Sequence, residues 1–244
     1  MEIEEYARIA AAEDEHWWYR NTRAVMDDLL KPWLGADQLI LDAGCGPGGN
    51  GAWLAKHGRV IGVDISEDAL AFVRSGRPDT TPVRASLDRL PFATAHFDLA
   101  VAITVINCVT DDHRAFRELA RVVKPGGAVL VMEPAFEFLR RGHDKTVHCL
   151  HRYQRRELAA VMTGAGLDVR RSTYLYRFLT LPAAALAISE RLRPHSAADA
   201  GSDVDRQRFN RAFARMAERE RVRLQHRDVR FGTTIALVGT RASN

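Results

Sequence analysis

The sequence predicts an α/β fold built on a mainly parallel sheet, and three observations carry that expectation. The apolar run Leu39-Ile40-Leu41 ends in Asp42 and enters the glycine-rich turn Gly44-Cys45-Gly46-Pro47-Gly48-Gly49, the form of a strand opening onto a helix. A second apolar run, Arg59-Val60-Ile61-Gly62-Val63, ends in Asp64, roughly 20 residues beyond the first glycine. Strand and helix signals then alternate over about residues 37–136, the pattern of parallel strands joined by crossover helices.

Near the N-terminus, Glu15-His16-Trp17-Trp18-Tyr19-Arg20 is expected to precede the first helix. Its tryptophans can form a lid over a bound ligand or staple an N-terminal helix onto the sheet, because either role uses a broad apolar ring and an N–H that needs a partner. In the turn, Gly44, Gly46 and Gly49 fit G-x-G-x-x-G, which dinucleotide-binding proteins share. Two details point elsewhere. Asp42 faces an ammonium group more comfortably than a pyrophosphate, and Pro47 removes an N–H from a turn that would otherwise cradle phosphate. Together they favour a ligand with a zwitterionic amino-acid tail, as S-adenosylmethionine has. Asp64 stands where a carboxylate reaches ribose hydroxyls, with a plain cap or turn aspartate as the alternative. Ser66, followed by Glu67 and Asp68, reads as the N-cap of the next helix, which makes Asp64 the last strand residue.

Further landmarks are Leu90-Pro91-Phe92, His96-Phe97-Asp98 and the stretch 118–127, ending Lys124-Pro125-Gly126-Gly127. That last turn closes a helix and delivers a fifth strand near 128–132. With the glycine loop, these segments resemble the class I S-adenosylmethionine-dependent methyltransferases, specifically a type 11-like subgroup, over about residues 16–175. The implied fold is α/β and Rossmann-like: a seven-stranded, mostly parallel sheet with helices on both faces, an antiparallel last strand, and a helical insertion between strands six and seven. The resemblance implies cofactor binding by Asp42, by Gly44, Cys45, Gly46 and Gly48 of the loop, by Asp64 and Ile65, by Ser86 and Leu87, and by Thr104 beside Val105. The chain departs from its relatives at Ser86, where an aspartate usually meets the adenine amino group, although a serine still accepts that hydrogen bond. It departs again at Ile106-Asn107-Cys108, where Leu-Glu-His is common, so no histidine base is assigned there.

After the fifth strand come Glu133-Pro134-Ala135-Phe136 and His143-Asp144-Lys145-Thr146-Val147-His148-Cys149-Leu150-His151-Arg152-Tyr153. They resemble the same subgroup's Pro-Ala-aromatic and His-Asp…His-x-Arg-Arg-Tyr signature, with His151 where an arginine is usual. This segment is expected to border the acceptor site. His143 and His148 are the candidate catalytic bases for a phenol, alcohol or ammonium acceptor. A carboxylate acceptor needs no base, and then Arg140, Arg141 or Arg152 would orient it. Arg152 and Tyr153 can equally hold the loop. The histidine spacing is not that of a helical metal-binding pair, and no metal is assigned. A helix near 155–164 and a sixth strand near 167–172 follow, then a long stretch before a last strand at 231–240. Within that stretch Phe209, Phe213 and Met216 recur at helical spacing, as core positions do. The expected division of one domain over 1–244 is an N-terminal helical lid (1–36), a cofactor-binding core (37–174), a helical substrate cap (175–228) and a final strand (229–244). The cap should cover the carboxyl edge of the sheet, where open α/β folds bind ligands.

Composition sets the remaining bounds. The chain has 244 residues, 46% hydrophobic, enough for an ample core. Cys45, Cys108 and Cys149 are odd in number and far apart, which argues against a disulfide framework and for a reducing, cytoplasmic setting. Met1-Glu2-Ile3-Glu4-Glu5 is unlike the basic start of a signal peptide. The apolar run 178–188 is about half a membrane span and contains Pro182, so no stable membrane insertion is expected. Net charge is +4, with arginines crowded at Arg206, Arg208, Arg211, Arg215, Arg219, Arg221, Arg223 and Arg227. Glu218, Glu220, Asp203 and Asp205 are interleaved with them, which favours a solvated helix face over a nucleic-acid groove. The expected reaction is methyl transfer from S-adenosylmethionine, leaving S-adenosylhomocysteine, to a hydroxyl, amine or carboxylate of a small-molecule acceptor, a specialised metabolite. An RNA- or peptide-modifying methyltransferase and a catalytically silent cofactor-binding protein stay open as alternatives. Oligomeric state is not legible.

Overall fold

In the computed structural model, which describes residues 3–192 and 210–242, the sheet is formed by Gln38–Ala43 (β1), Gly58–Asp64 (β2), Thr80–Arg84 (β3), Phe97–Ile103 (β4), Val123–Pro134 (β5), Leu167–Leu175 (β6) and Thr234–Arg241 (β7). The spatial order is β3-β2-β1-β4-β5-β7-β6. β1 pairs in parallel with β2 and β4, and β4 with β5, while β7 inserts antiparallel between β5 and β6. The expected seven-stranded sheet with an antiparallel last strand is therefore observed. Its central strands are near-continuous apolar runs because helices cover both faces. One apolar layer gathers Leu41, Val63, Phe97, Phe116, Val131 and Leu237, and the other Met26, Leu30, Ile40, Leu99, Leu130 and Val238.

Local signals set the helix ends. Ser66 caps Glu67–Gly76 by accepting from the Ala69 N–H at 3.3 Å, as its position predicts. In Asp112–Val122 the cap is Asp111, which accepts from Arg114 N–H at 2.9 Å, and Ala115, Phe116, Leu119 and Ala120 face the sheet. The helix Arg155–Gly164 lies where the periodicity puts it. β5 begins at Val123, earlier than expected, so the Lys124-Pro125-Gly126-Gly127 turn lies within the strand; Gly126 takes φ +80°, and a Cβ on Gly127 would come 2.6 Å from the Asp98 carbonyl oxygen. β7 starts three residues later than expected, leaving Phe231 outside the strand and exposed.

Two helices precede the sheet, Ile3–Ala12 (α1) and Trp17–Leu30 (α2), so the aromatic segment does not precede the first helix but opens the second, where His16 as N-cap accepts the Trp18 N–H at 3.3 Å. In α2, Trp17 is buried, packing at 5.4 Å on Tyr176, 6.0 Å on Phe178 and 5.7 Å on Phe213. The tryptophan pair thus includes a staple to the insertion between β6 and β7. That insertion includes Thr180–Leu192 and Asn210–Leu224, a helix in the place expected. Phe213 is packed as expected. Met216 is not core: it is 42% exposed, because the inward positions of its helix are Ala217 and Leu224. Phe209 and the acids Asp203 and Asp205 lie outside the described residues. Among the described residues, no helix is long and apolar enough to cross a membrane.

Candidate functional site

The turn after β1 can form only with glycine at particular positions. Gly44, Gly46 and Gly48 take φ of +75°, +53° and +91°, a region that side chains rarely adopt. A Cβ on Gly44 would lie 2.2 Å from Val105 Cγ2, whereas above Gly46 the space is open. Gly49, the third glycine of the sequence pattern, serves differently: a Cβ there would meet the Glu13 carboxyl carbon at 2.2 Å. Pro47 sits within this turn, and Cys45 is buried with its thiol turned to the Gly46 carbonyl and packed against Leu70 and Val73. Its N–H donates to the Val63 carbonyl at 2.9 Å, and its carbonyl accepts the Gly48 N–H at 3.0 Å.

Three carboxylates surround the loop. Asp42 is 1% exposed, and its Oδ2 is buried without a hydrogen-bond partner. Burial, and next the charges of Glu13 and Asp64, push its carboxyl up to about 7. Glu13 is also buried; its carboxylate pairs with Arg77 at 2.6 Å, and burial raises it above the ordinary carboxylate range. Asp64 uses Oδ2 to accept the Gly46 N–H at 3.0 Å and Oδ1 to accept the Ser66 N–H at 2.9 Å, which fixes both oxygens and leaves each a free lone pair. Beside Asp64 and Ser66 lies Tyr6 of α1, buried, its phenol pushed up by burial and by the Asp64 charge. Arg23 of α2 donates to the carbonyls of Glu13 and Gly49, the latter at 3.1 Å. The N-terminal helices thus bracket the loop, with Tyr6 at the Asp64 end and Glu13 with Arg23 at the Asp42 end. Sequence reasoning missed all three. The signal available for Arg23 was its place in Arg20-Asn21-Thr22-Arg23, directly after the aromatic segment.

The loop after β4 forms the next wall. Thr104 is exposed at φ +52°, and its N–H donates to the Met132 carbonyl at 2.7 Å. The three N–H groups that follow all donate to one buried carboxylate: Val105 and Ile106 to Glu133 Oε1 at 3.2 and 2.8 Å, and Asn107 to Oε2 at 3.3 Å. Glu133 is fully buried at the end of β5, and burial pushes it up to about 8 despite the three donors. On the other flank, Ile65 is 65% exposed beside Asp64, Ser86 is half-buried in a turn, and Leu87 is buried.

The histidine loop is held by its own charges. Arg152 clamps the buried Asp144 at 2.8 and 3.0 Å, Arg140 pairs with Glu137, and Arg141 pairs with Glu190 at 2.9 Å. All three arginines weighed as anion-orienting groups are thus committed to carboxylates, and they hold the loop. Tyr153 is fully buried and donates to Asp112 at 2.8 Å. His151 stacks edge-on against Tyr153 at 4.2 Å, with Nε2 3.6 Å from Asp112. His143 is half-buried, its Nδ1 enclosed without a hydrogen-bond partner, and His148 is exposed at φ +57°. The Leu150 N–H donates to the Asn107 carbonyl at 2.8 Å, tying this loop to the one after β4. Phe136, at φ +58°, stacks on Tyr174 at 5.2 Å and meets Phe138 and Phe231 at 5.3 and 4.9 Å, an aromatic cluster whose outer rings are exposed.

A family model described as a methyltransferase domain matches residues 41–131. A probable S-adenosylmethionine-dependent methyltransferase of Mycobacterium tuberculosis is 31% identical over 196 residues, 79% of this chain and 67% of that protein. The chain belongs to the class I S-adenosylmethionine-dependent methyltransferases. Malonyl-(acyl-carrier protein) O-methyltransferase of Pseudescherichia vulneris is 34% identical over 146 residues, 59% of this chain and 55% of that protein. Geranyl diphosphate C-methyltransferase of Streptomyces coelicolor, solved with S-adenosylhomocysteine, shares the fold at a TM-score of 0.59 over 90% of this chain and 78% of that one, with 18% identity. The cofactor of this methyltransferase is S-adenosylmethionine, and the loop fits such a group. The buried, unpartnered Asp42 Oδ2 lacks a cation, the surface above Gly46 is open, and Asp64 has lone pairs to spare.

Proposed function

We propose that this methyltransferase alkylates a small-molecule acceptor at a hydroxyl, amine or carboxylate, with the cofactor lying along the glycine loop from Asp42 to Asp64. The observation that carries the cofactor placement is the pair of buried carboxylates at one end, Asp42 with an orphan oxygen and Glu13 beside it. Glu13 is already paired with Arg77, so Asp42 is the buried carboxylate left without a cation, and the cofactor's ammonium can supply one. Arg23 is near enough to the Gly49 carbonyl to serve the cofactor's carboxylate. At the other end Asp64 takes the ribose hydroxyls, with Ile65, Ser86, Leu87 and Thr104 around the base. When bound, S-adenosylmethionine supplies a methyl group already activated by positive sulfur, so alignment is the protein's main task. The aromatic cluster at Phe136 and Phe138 suits an acceptor with an apolar body, and the O-methyltransferase relative supports an oxygen acceptor. Where the acceptor must lose a proton, His143 and His148 are the two candidate bases, and the enclosed Nδ1 of His143 leaves its Nε2 as the nitrogen that would take that proton.

Mass spectrometry of hydroxy, amino and carboxylic acids incubated with the enzyme and S-adenosylmethionine tests this reading. A methyl increment on one of them is expected, and methylation of RNA or peptide alone would replace it. Replacing Asp64 by Ala removes charged hydrogen bonds, so calorimetry with S-adenosylhomocysteine should show a loss of about 1.5–3 kcal/mol. Unchanged affinity would mean that the ribose lies elsewhere. Replacing His143 by Gln should lower turnover about 100-fold or more on a hydroxyl acceptor while leaving cofactor affinity intact. Wild-type turnover in that variant would leave alignment alone as the source of catalysis.

A further inference from the structure

The helix Asn210–Leu224, labelled α9 as the ninth helix in the described residues, has two unlike faces. Its inner face is fixed: Phe213 packs on Trp17 at 5.7 Å, Ala217 and Leu224 are buried, and Arg221 pairs with Asp28 at 2.7 Å. On the outer face Arg211, Arg215, Arg219 and Arg223 are all exposed. The sequence places acids among these arginines, and such acids ordinarily neutralise a helix face through pairs three or four residues apart. The two acids on the helix itself, Glu218 and Glu220, are spent elsewhere. Glu218 pairs with Arg221 at 2.8 Å, and the Glu220 carboxylate turns inward to accept the N–H groups of Tyr176 and Arg177. Among the described residues, none of the four outer arginines has an ion pair. Met216 and Val222 lie between them, 42% and 47% exposed.

We propose that this face of α9 docks an acidic helix of a partner protein. Side chains four residues apart form the ridge along which helices pack most often, at a crossing of about −50°. Four arginines on one such ridge stand about 6 Å apart and span about 18 Å, the same interval at which a partner helix presents carboxylates four residues apart. Arg and Met are enriched in protein interfaces, and Met216 and Val222 supply apolar contact between the charges. A bilayer fits less well: the ridge turns by about 40° per arginine, so a plane cannot meet all four. Single-stranded nucleic acid fits less well too, because the outer face carries no aromatic ring on which a base could stack.

The test uses a fluorescein-labelled 20-residue helical peptide with glutamate at every fourth position, titrated with the full chain at low and moderate salt and followed by anisotropy. Its control has the same composition with the glutamates spread around the helix. The ridge peptide should bind at least fivefold more tightly than the control. Replacing Arg211, Arg215, Arg219 and Arg223 together by Gln should weaken it at least tenfold, with melting temperature and S-adenosylhomocysteine affinity unchanged. The pairwise variants R211Q/R215Q and R219Q/R223Q serve if the quadruple variant folds poorly, each with a partial loss. Equal binding of the two peptides, or binding that survives all the substitutions, would overturn the proposal. So would a single-stranded RNA 20-mer, or vesicles of phosphatidylcholine and phosphatidylglycerol, that bind more tightly than the peptide through the same arginines.

Discussion

Replacing Asp42 by Asn is expected to stabilise the free protein while weakening its hold on the cofactor. Asp42 is buried with one oxygen unpartnered, and its carboxyl is pushed up to about 7, first by burial and then by Glu13 and Asp64. A carboxylate with a raised value keeps its proton in the fold after the unfolded chain has released it. Its stabilising contribution is therefore present at low pH and is lost as pH rises through about 7. The Asn variant has no such group. Near neutral pH it should gain about 1–2 kcal/mol, or about 2–8 °C in melting temperature for a chain of this size, and lose less stability than the wild type between pH 4 and 7. Affinity should move the opposite way, because an ammonium needs the ionised carboxylate. S-adenosylhomocysteine should bind the variant about 10- to 100-fold more weakly, a loss of about 1.5–3 kcal/mol. Wild-type affinity should climb as pH rises toward 7. Scanning calorimetry and titration calorimetry over that range measure both quantities. A variant that is less stable, or that binds as tightly as the wild type, would remove Asp42 from the cofactor's ammonium.

The contrast between Asp42 and Glu13 shows what the sequence could disclose. Asp42 stands at a fixed distance from glycines that have a backbone reason to be there, so its place at the mouth of the loop was legible from spacing. The alternation of strands with crossover helices was legible for a similar reason: apolar runs ending in turn residues recur at the interval of a crossover helix, and Ser66 marks a helix start by its side-chain chemistry. Glu13, Tyr6 and Arg23 reach the same loop from helices that precede the sheet, and no local spacing connects residue 13 with residue 49. Their positions are decided by tertiary packing, in which Trp17 wedges between Tyr176, Phe178 and Phe213. The arginines at 140, 141 and 152 failed as anion-binding candidates for the same reason. Each has a carboxylate partner, and two of those partners, Asp144 and Glu190, lie at distances along the chain that sequence alone does not rank. Met216 shows the limit of periodicity, since helical spacing names a face without saying which way it points.

Removal of Glu133, which spacing along the sequence does not connect with the glycine loop, is expected to have the largest effect on the site. Its two oxygens take the N–H groups of Val105, Ile106 and Asn107 in a place that water does not reach. Those residues shape the wall on which the glycine loop rests, because Val105 fills the space where Gly44 would carry a side chain. Replacing Glu133 by Ala leaves three buried donors without partners and a cavity, and should cost about 3–5 kcal/mol of stability. Replacing it by Gln keeps the shape but turns an amide N–H toward the Asn107 N–H, donor against donor, so an intermediate loss is expected. The two substitutions should also weaken S-adenosylhomocysteine binding in the same order, since a loop free to shift no longer supports Gly44. The pH dependence separates this role from mere filling of space. With a carboxyl pushed up to about 8, the wild type loses stability as pH rises through that value. The Gln variant does not titrate, so the stability gap between the two should narrow as pH rises from the ordinary carboxylate value of 4.5 toward about 8 and stay constant above it. Urea unfolding at pH 6, 7 and 9 measures that gap. A gap independent of pH, or an Ala variant that binds the cofactor product as well as the wild type, would show that the loop after β4 holds its shape without Glu133.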